Sequence, residues 1–106
     1  MTTLIELLEE DLTEYEIEYR VHATRRMFER QLHSEDVEHV LGTGRIIERY
    51  DVDLPLRRLL ISGRGSMRQA LHVVVVVNLS EKRLSVITTY EPDPRQWSTP
   101  DTRRQP

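Results

Sequence analysis

The chain has 106 residues, no cysteine and a net charge of −3 at pH 7. This length fits one compact domain that buries about two-thirds of its unfolded surface, and the lack of cysteine excludes a disulfide framework and a cysteine-based zinc site. The sequence shows no signal-peptide pattern and no membrane-length apolar run, so we expect a soluble, cytoplasmic protein.

The charges are distributed unevenly along the chain. Residues 1–19 hold seven acids and no base, whereas residues 20–106 hold fifteen bases and eleven acids, a net charge of +4. A basic body attracts polyanions, and the acidic segment would oppose them or cover the basic surface. Fourteen of the fifteen bases are arginine, which suits bidentate phosphate contacts, although GC-rich codon usage explains the same bias more simply.

The first predicted element is an acidic amphipathic helix in residues 1–15. Thr3 and Glu6 form a capping-box pattern ahead of leucines at a four-residue spacing. Residues 16–21 then alternate in polarity, which is typical of either a short strand or an extended connector.

Two short helices follow and meet near His33. The composition favours a helix from His22 to Leu32, and Ser34 begins a second helix that ends at Gly42 and Gly44. Beyond these glycines the polarity pattern changes from the helical period to a period of two.

Four strands are predicted in the second half of the chain. They are the segments RIIERYD, RRLLISG, ALHVVVVVN and RLSVITTYE. The connections between them are too short for helical crossovers, so we expect an antiparallel meander. The predicted fold class is α+β, with the N-terminal helices packed on a four-stranded antiparallel sheet.

A proline-rich segment ends the last strand. Pro92 and Pro94 cannot donate to a strand ladder, and the polar residues after Trp97 have little to bury. We therefore expect a single domain in residues 16–97 and a disordered tail in residues 98–106, with Trp97 holding the tail against the core.

The third predicted strand indicates that both faces of the sheet are covered. Residues 73–77 are all valine, whereas a meander with helices on one side normally has a polar outer face. Structural burial is the main role expected for the valines, under either the acidic N-terminal helix or a partner chain.

Cationic side chains form a stripe on the first of the two short helices. His22, Arg26, Arg30 and His33 fall within about 80° of one another at 100° per residue. Such a stripe is usually a solvated face, and binding of a ligand is the alternative.

His72 is the second candidate site residue, at the start of the valine run, where a histidine is more often structural. A hairpin through NLSEKR would place it opposite Thr89, Tyr90 or Glu91, depending on the length of the loop. Thr88 and Tyr90 share one strand face and the other two residues share the opposite face, so the register decides the companions of His72.

Other site motifs are poorly represented. The sequence contains no phosphate-binding glycine loop, nucleophile elbow or aspartate-rich metal loop. His33 and His39 lack the spacing of a zinc pair on one helix, so no metal or cofactor is expected.

Three segments taken together resemble a known family. HATRRMFER, ALHVVVVV and TTYEPDPRQW look like the domain-of-unknown-function family 4258 in residues 19–97. That family is similar to small bacterial toxins of the RelE and barnase-like ribonuclease superfamily, so the resemblance implies a RelE-like fold. It also implies a zinc-finger antitoxin with paired cysteine motifs as the protein partner.

The resemblance further implies a set of site residues. Carried over position by position, it points to His22, Arg26, Arg30, His72, Thr88 and Tyr90. The chain departs from the family pattern at Gln31 and His33 and in its acidic N-terminal helix.

The chemistry of these residues is compatible with metal-independent cleavage of RNA. That reaction needs a base for the 2′-hydroxyl, an acid for the leaving 5′-oxygen and cations for the developing charge. Arg26 and Arg30 would bind the phosphate. The candidate catalytic residues are His22 and His72 as acid and base, Tyr90 in a positioning role, and Thr88.

We therefore expect a toxin-like endoribonuclease that acts on RNA, free or on the ribosome. This hypothesis requires the cationic stripe and His72 to converge on one groove beside the sheet. The competing function is a non-catalytic module that binds RNA or a protein through the same basic face, and a third interpretation is a degenerate family member that forms a structural homodimer.

Overall fold

The computed structural model describes residues 2–51 and 56–104. Residues 105 and 106, the end of the segment for which a disordered tail was predicted, lie outside the described residues, as does Met1.

The described chain contains three α-helices: α1 (Leu4–Leu8), α2 (Val21–Glu29) and α3 (Ser34–Thr43). Thr3 caps α1 by accepting a hydrogen bond from the backbone N–H of Glu6. The helix ends where Glu9 adopts a left-handed conformation, and a short 3-10 turn follows at Leu12–Glu14. The acidic segment is therefore a short helix and a separate turn. No helix in the described ranges is both long and apolar enough to cross a membrane.

The main sheet has five strands within the described residues, in the order β1-β5-β4-β3-β2. The strands are β1 (Glu16–Tyr19), β2 (Arg45–Asp51), β3 (Leu56–Arg64), β4 (Ala70–Asn78) and β5 (Arg83–Tyr90). Strands β2 to β5 form the predicted antiparallel meander, whereas β1 pairs in parallel with β5.

The predicted four-stranded antiparallel sheet is wrong, because the sheet is mixed and has a fifth strand. Glu16 pairs with Arg83, and Tyr19 pairs with Val86, so β1 runs parallel to β5 at the edge. The alternating polarity of residues 16–21 is compatible with a strand but does not indicate which strand it pairs with. The chain returns to β1 only after two helices and three strands, a long path of the kind that a parallel pair requires.

The three helices cover one face of the sheet, which we call the helical face. Leu4 of α1 is fully buried there, and Ala23 and Met27 of α2 pack in the same cluster. The buried side chains that β4 contributes to this cluster are at alternate positions: Leu71, Val73, Val75 and Val77.

The intervening residues of β4 point to the opposite face, which a C-terminal hairpin partly covers. The hairpin consists of β6 (Trp97–Thr99) and β7 (Thr102–Arg103), and we call this side of the sheet the hairpin face. Apart from Trp97, these strands lie in residues 98–106, for which a disordered tail was predicted. The part of the second face that is covered thus lies under the C-terminal hairpin and not under the acidic helix.

Trp97 fixes the hairpin to the sheet. Its side chain is buried in a small apolar cluster with Leu60 and Val74. The prediction that Trp97 holds the C-terminal segment against the core is confirmed.

Asp36 ties the start of α3 to the turn between β3 and β4. Its carboxylate accepts hydrogen bonds from the backbone N–H of His33 at 2.9 Å and from the backbone N–H of Ser66 at 2.8 Å, and also from the Ser66 hydroxyl. The hydrogen bond from the Ser66 hydroxyl is the main cause that lowers the pKa of Asp36. This buried carboxylate therefore fixes the distance between helix and turn.

Candidate functional site

His72 lies opposite Tyr90, one of the three registers that the sequence left open. A register shift in the pairing of β4 with β5 places Thr88 opposite Val74. Because cross-strand partners share a face, His72, Thr88 and Tyr90 all belong to the hairpin face.

The imidazole of His72 is fully enclosed, with 0% of its surface exposed. Its Nε2 lies 2.6 Å from the carbonyl oxygen of Pro100, and its Nδ1 lies 3.4 Å from the hydroxyl of Tyr90. The rings of Trp97 and Tyr90 pack edge-on against it, with centroid distances of 4.5 and 5.3 Å. His72 is therefore held by the hairpin on one side and by β5 on the other.

These contacts fix the protonation of His72. Burial lowers its pKa, so the ring is neutral at pH 7. The Pro100 carbonyl can only accept, so Nε2–H donates to it and Nδ1 accepts from the Tyr90 hydroxyl. Burial also raises the pKa of Tyr90, which keeps that hydroxyl protonated. In this arrangement His72 orients Tyr90.

A groove of about 400 Å³ lies on the hairpin face beside Tyr90. We call it the Glu48 groove. Its polar lining is one carboxylate, two phenols and two guanidinium groups, which surround the apolar side chains of Leu60 and Val74. The polar residues are Glu48, Tyr50, Arg58, Tyr90 and Arg103.

Glu48 is the centre of the hydrogen bonds in this groove. Arg103 donates from Nε and Nη2 to the two carboxylate oxygens, at 3.0 Å each, and the Tyr50 hydroxyl donates to Oε1. The contacts with Arg103 are the main cause that lowers the pKa of Glu48, and the contact with Glu48 raises the pKa of Tyr50. At neutral pH the groove therefore holds an ionised carboxylate beside protonated phenols.

Arg103 connects the groove to the hairpin. Its guanidinium lies over the ring of Trp97, 4.6 Å from the centroid, and its side chain is half-exposed. A guanidinium that is stacked and paired on the surface can exchange one anion for another without leaving its position.

The sheet separates the two sets of residues that the sequence singled out. Helix α2 packs on the helical face through Ala23 and Met27, whereas His72 contacts Trp97 and Pro100 on the hairpin face. The structure brings together the strand residues His72, Thr88 and Tyr90. It does not bring the helix residues to them, which are His22, Arg26 and Arg30.

Sequence reasoning missed four polar residues of the groove, Glu48, Tyr50, Arg58 and Arg103, for two different reasons. Glu48 and Tyr50 stand at alternate positions of RIIERYD, as do Arg58 and Leu60 in RRLLISG, so each pair could have been assigned to one face. A register shift between Ile46 and Glu48 sets which face that is. The fourth, the arginine of β7, falls in the segment for which disorder was predicted.

The part of the chain that the structure describes contains no group of three His, Asp or Glu side chains placed to hold a metal ion. The polar residues of the Glu48 groove suit a phosphate-containing ligand, since guanidinium groups bind phosphate oxygens in a bidentate manner.

Comparison with known families places the chain in one of them. Residues 19–91 match the family described as Domain of unknown function (DUF4258). No curated protein and no solved structure shows a match to the chain. The matched part runs from the end of β1 to the end of β5, and the hairpin lies beyond it. Because the match covers more than half of the sequence, the chain belongs to the DUF4258 family.

Proposed function

We propose that this protein is the cytoplasmic toxin of a bacterial toxin–antitoxin pair, and that it cleaves RNA in the Glu48 groove without a metal ion. One observation carries the proposal: an ionised carboxylate, two phenols and two guanidinium groups line a single depression on the sheet. The family resemblance to ribonuclease toxins supports the same function.

Glu48 acts as the base in this mechanism. When an RNA phosphate takes the place of the carboxylate beside Arg103, Glu48 is free to accept the proton of the ribose 2′-hydroxyl. The 2′-oxygen attacks phosphorus, and the bond from phosphorus to the 5′-oxygen breaks. The products are a 2′,3′-cyclic phosphate and a 5′-hydroxyl.

The phenols and arginines complete the reaction. Tyr50 gives its proton to the leaving 5′-oxygen, and the proton held by Glu48 returns to Tyr50 across their hydrogen bond. Arg58 and Arg103 stabilise the charge that develops on the phosphate. Tyr90, which His72 orients, positions the substrate.

Cleavage of single-stranded RNA by the purified protein in the presence of EDTA tests this proposal. We expect products with 2′,3′-cyclic phosphate ends. Glu48→Gln and Tyr50→Phe should each lower the cleavage rate by about 10²- to 10⁴-fold, the usual contribution of a positioned acid or base, while RNA binding persists. Glu81→Gln, a matched change at an exposed carboxylate in the turn before β5, should leave the rate unchanged.

Two outcomes would contradict the proposal. One is a folded wild-type protein that cleaves no RNA, with or without ribosomes. The other is cleavage that requires added magnesium.

A non-catalytic module that binds RNA or a protein is the second candidate function. Residues of the hairpin already engage the Glu48 carboxylate and the His72 imidazole. Arg103 pairs with Glu48, and the Pro100 carbonyl accepts a hydrogen bond from His72. RNA binding without any turnover, unchanged by Glu48→Gln, would favour this function over the enzyme.

We propose that the antitoxin binds the outer face of α2. Val21 and Phe28 are 75% and 86% exposed, and they lie seven residues apart, on one side of the helix. Arg25 lies between them, and the Nε of half-buried Arg26 has no hydrogen-bond partner among the described residues. Apolar side chains bordered by cations fit an acidic amphipathic segment of the zinc-finger protein.

Binding to a small protein with paired cysteine motifs, sought among the products of the neighbouring genes, tests the docking face. We expect Phe28→Ser to weaken the complex by tenfold or more, as loss of a central aromatic contact does. The control is Met67→Ser, an equally exposed apolar residue outside α2. An equal effect of the two changes would contradict the assignment of the face.

A further inference from the structure

A second basic surface lies at the opposite end of β2 and β3 from the Glu48 groove. It consists of two adjoining depressions of about 500 and 680 Å³ that share His39 and Arg64. Arg45 lines the first depression and Arg68 the second. We call the surface formed by these four residues the arginine trough.

Two carboxylates of the described residues border the trough, and both accept hydrogen bonds from serine hydroxyls of its lining rather than from its arginines. Asp36 accepts hydrogen bonds from Ser66, and Asp101 accepts one from the hydroxyl of Ser62. Within residues 2–51 and 56–104, none of the three trough arginines forms an ion pair. In a chain of net charge −3, this is a local excess of positive charge that attracts an anion.

His39 adds a group that distinguishes a ribose from a simple anion. Its Nδ1 lies 2.8 Å from the carbonyl oxygen of Arg64, so Nδ1 carries the proton and donates to that oxygen. With the proton on Nδ1, Nε2 offers a lone pair that a ribose 2′-hydroxyl can satisfy. Guanidinium groups for phosphates beside an acceptor for a hydroxyl match the backbone of RNA.

The backbone under the trough is fixed before any ligand binds. Arg64 donates from Nη1 to the carbonyl of Arg68 at 3.3 Å, and Gly65 donates to the carbonyl of Gln69 at 2.9 Å. A Cβ on Gly44 would lie 2.7 Å from the Ser62 carbonyl, so glycine permits the close approach of α3 and β3. Binding therefore orders side chains only, which limits its entropic cost.

We propose that the arginine trough binds the phosphates and ribose of a single-stranded RNA whose scissile bond lies in the Glu48 groove. The inference rests on the proposed function. Strand β2 connects the two sites, with Arg45 at its start and Glu48 and Tyr50 near its end. The distance along the strand from Arg45 to Tyr50 is roughly 17 Å at ~3.3 Å per residue. The hairpin borders both sites, through Asp101 and Arg103.

The salt dependence of RNA binding tests the proposal. The full chain carrying Glu48→Gln serves as host, so that a fluorescent oligoribonucleotide stays intact. Adding Arg45→Gln and Arg64→Gln should reduce the slope of log K against log salt by about 1.4, since each single-strand phosphate contact contributes about 0.7. The control pair, Arg20→Gln with Arg95→Gln, removes the same charge from the exposed residue before α2 and from the segment before β6, and it should leave the slope unchanged.

The nature of the ligand is tested by two competitors on the same host protein. DNA of the same sequence should bind more weakly than RNA, and His39→Phe should remove that preference. Inorganic phosphate should displace the RNA only through its ionic strength. Complete displacement by millimolar phosphate at constant ionic strength would overturn the assignment to RNA and indicate a site for the free ion.

Two further outcomes separate this inference from the proposed function. If the salt slope is the same in the Arg45/Arg64 variant and in the control pair, the arginine trough does not bind RNA, whether or not the wild type cleaves RNA. A reduced slope together with a wild type that never cleaves RNA would contradict the proposed cleavage. The trough would then be the RNA-binding site of a non-catalytic module.

Discussion

The ring of His72 is held by a carbonyl oxygen, a phenol and an indole, and it has no contact with solvent. A charged imidazole would lose its hydration there, and the charges of Asp101 and Glu48 offset only part of that cost. Burial is accordingly the main cause that lowers the pKa of His72. A histidine in a sequence is a candidate acid or base. In this buried position, His72 is instead a neutral link between Tyr90 and the hairpin.

This environment predicts a pH dependence of stability. Because the pKa of His72 is lower in the folded chain than in the unfolded chain, the unfolded chain takes up the proton first as pH falls. The free energy of unfolding should therefore decrease below about pH 6.5, by at most about 1.4 kcal/mol per pH unit from this group. Urea unfolding between about pH 7.5 and 5 measures the effect.

Two variants isolate the contribution of His72. His72→Gln keeps a polar side chain but cannot titrate, so its stability should lose this part of the pH dependence. The control His22→Gln changes an exposed histidine on α2. Equal slopes for His72→Gln and the wild type would contradict the assignment.

At the scale of elements, the C-terminal hairpin is the part of the fold with the least support of its own. Strands β6 and β7 are three and two residues long, and a two-stranded hairpin of this size is not stable alone. Its order depends on contacts with the sheet, above all the buried ring of Trp97 and the pair between Arg103 and Glu48. A polar tail can thus be ordered when the sheet supplies the apolar surface that the tail lacks.

Removal of the indole should release the hairpin from the sheet. Trp97→Ala should lower the free energy of unfolding by about 3–5 kcal/mol, the usual cost for a buried aromatic side chain. Denaturant unfolding followed by circular dichroism measures this change. Arg95→Ala alters an exposed side chain just before β6 and should have little effect. A cost for Trp97→Ala as small as that of the control would mean that the hairpin is not docked in solution.

At the scale of the whole molecule, local patterns predicted most elements and the pairing of consecutive strands, but not the contacts between distant segments. The positions of α2, α3 and the four meander strands follow from caps, glycines and the change of period, all of which act over a few residues. The pairing of Glu16 with Arg83 and the docking of Arg103 on Glu48 join distant parts of the chain. No local pattern specifies such contacts, and the polar lining of the Glu48 groove depends on them.

Local patterns also left the position of the acidic N-terminal segment open. Its leucines indicate that one side of the segment is buried, but they do not indicate which face of the sheet it covers. Leu4 is 0% exposed in the main core on the helical face, and Glu10 pairs with Lys82 at 3.0 Å. The segment therefore acts as a structural cover. Leu4→Ala should lower the free energy of unfolding by about 2–5 kcal/mol through the cavity it leaves, whereas Ile5→Ala, at a neighbouring exposed side chain, should cost much less.

Deletion of residues 1–15 distinguishes this structural role from an electrostatic one. The deletion uncovers the apolar cluster around Leu4, so we expect a destabilised protein that aggregates, because exposed apolar patches promote association. Light scattering and thermal unfolding of the shortened chain measure both effects. A folded, monomeric product that binds RNA more tightly than the full chain would instead show that the five acids in residues 1–15 shield the basic surfaces, since their removal would then act through charge alone.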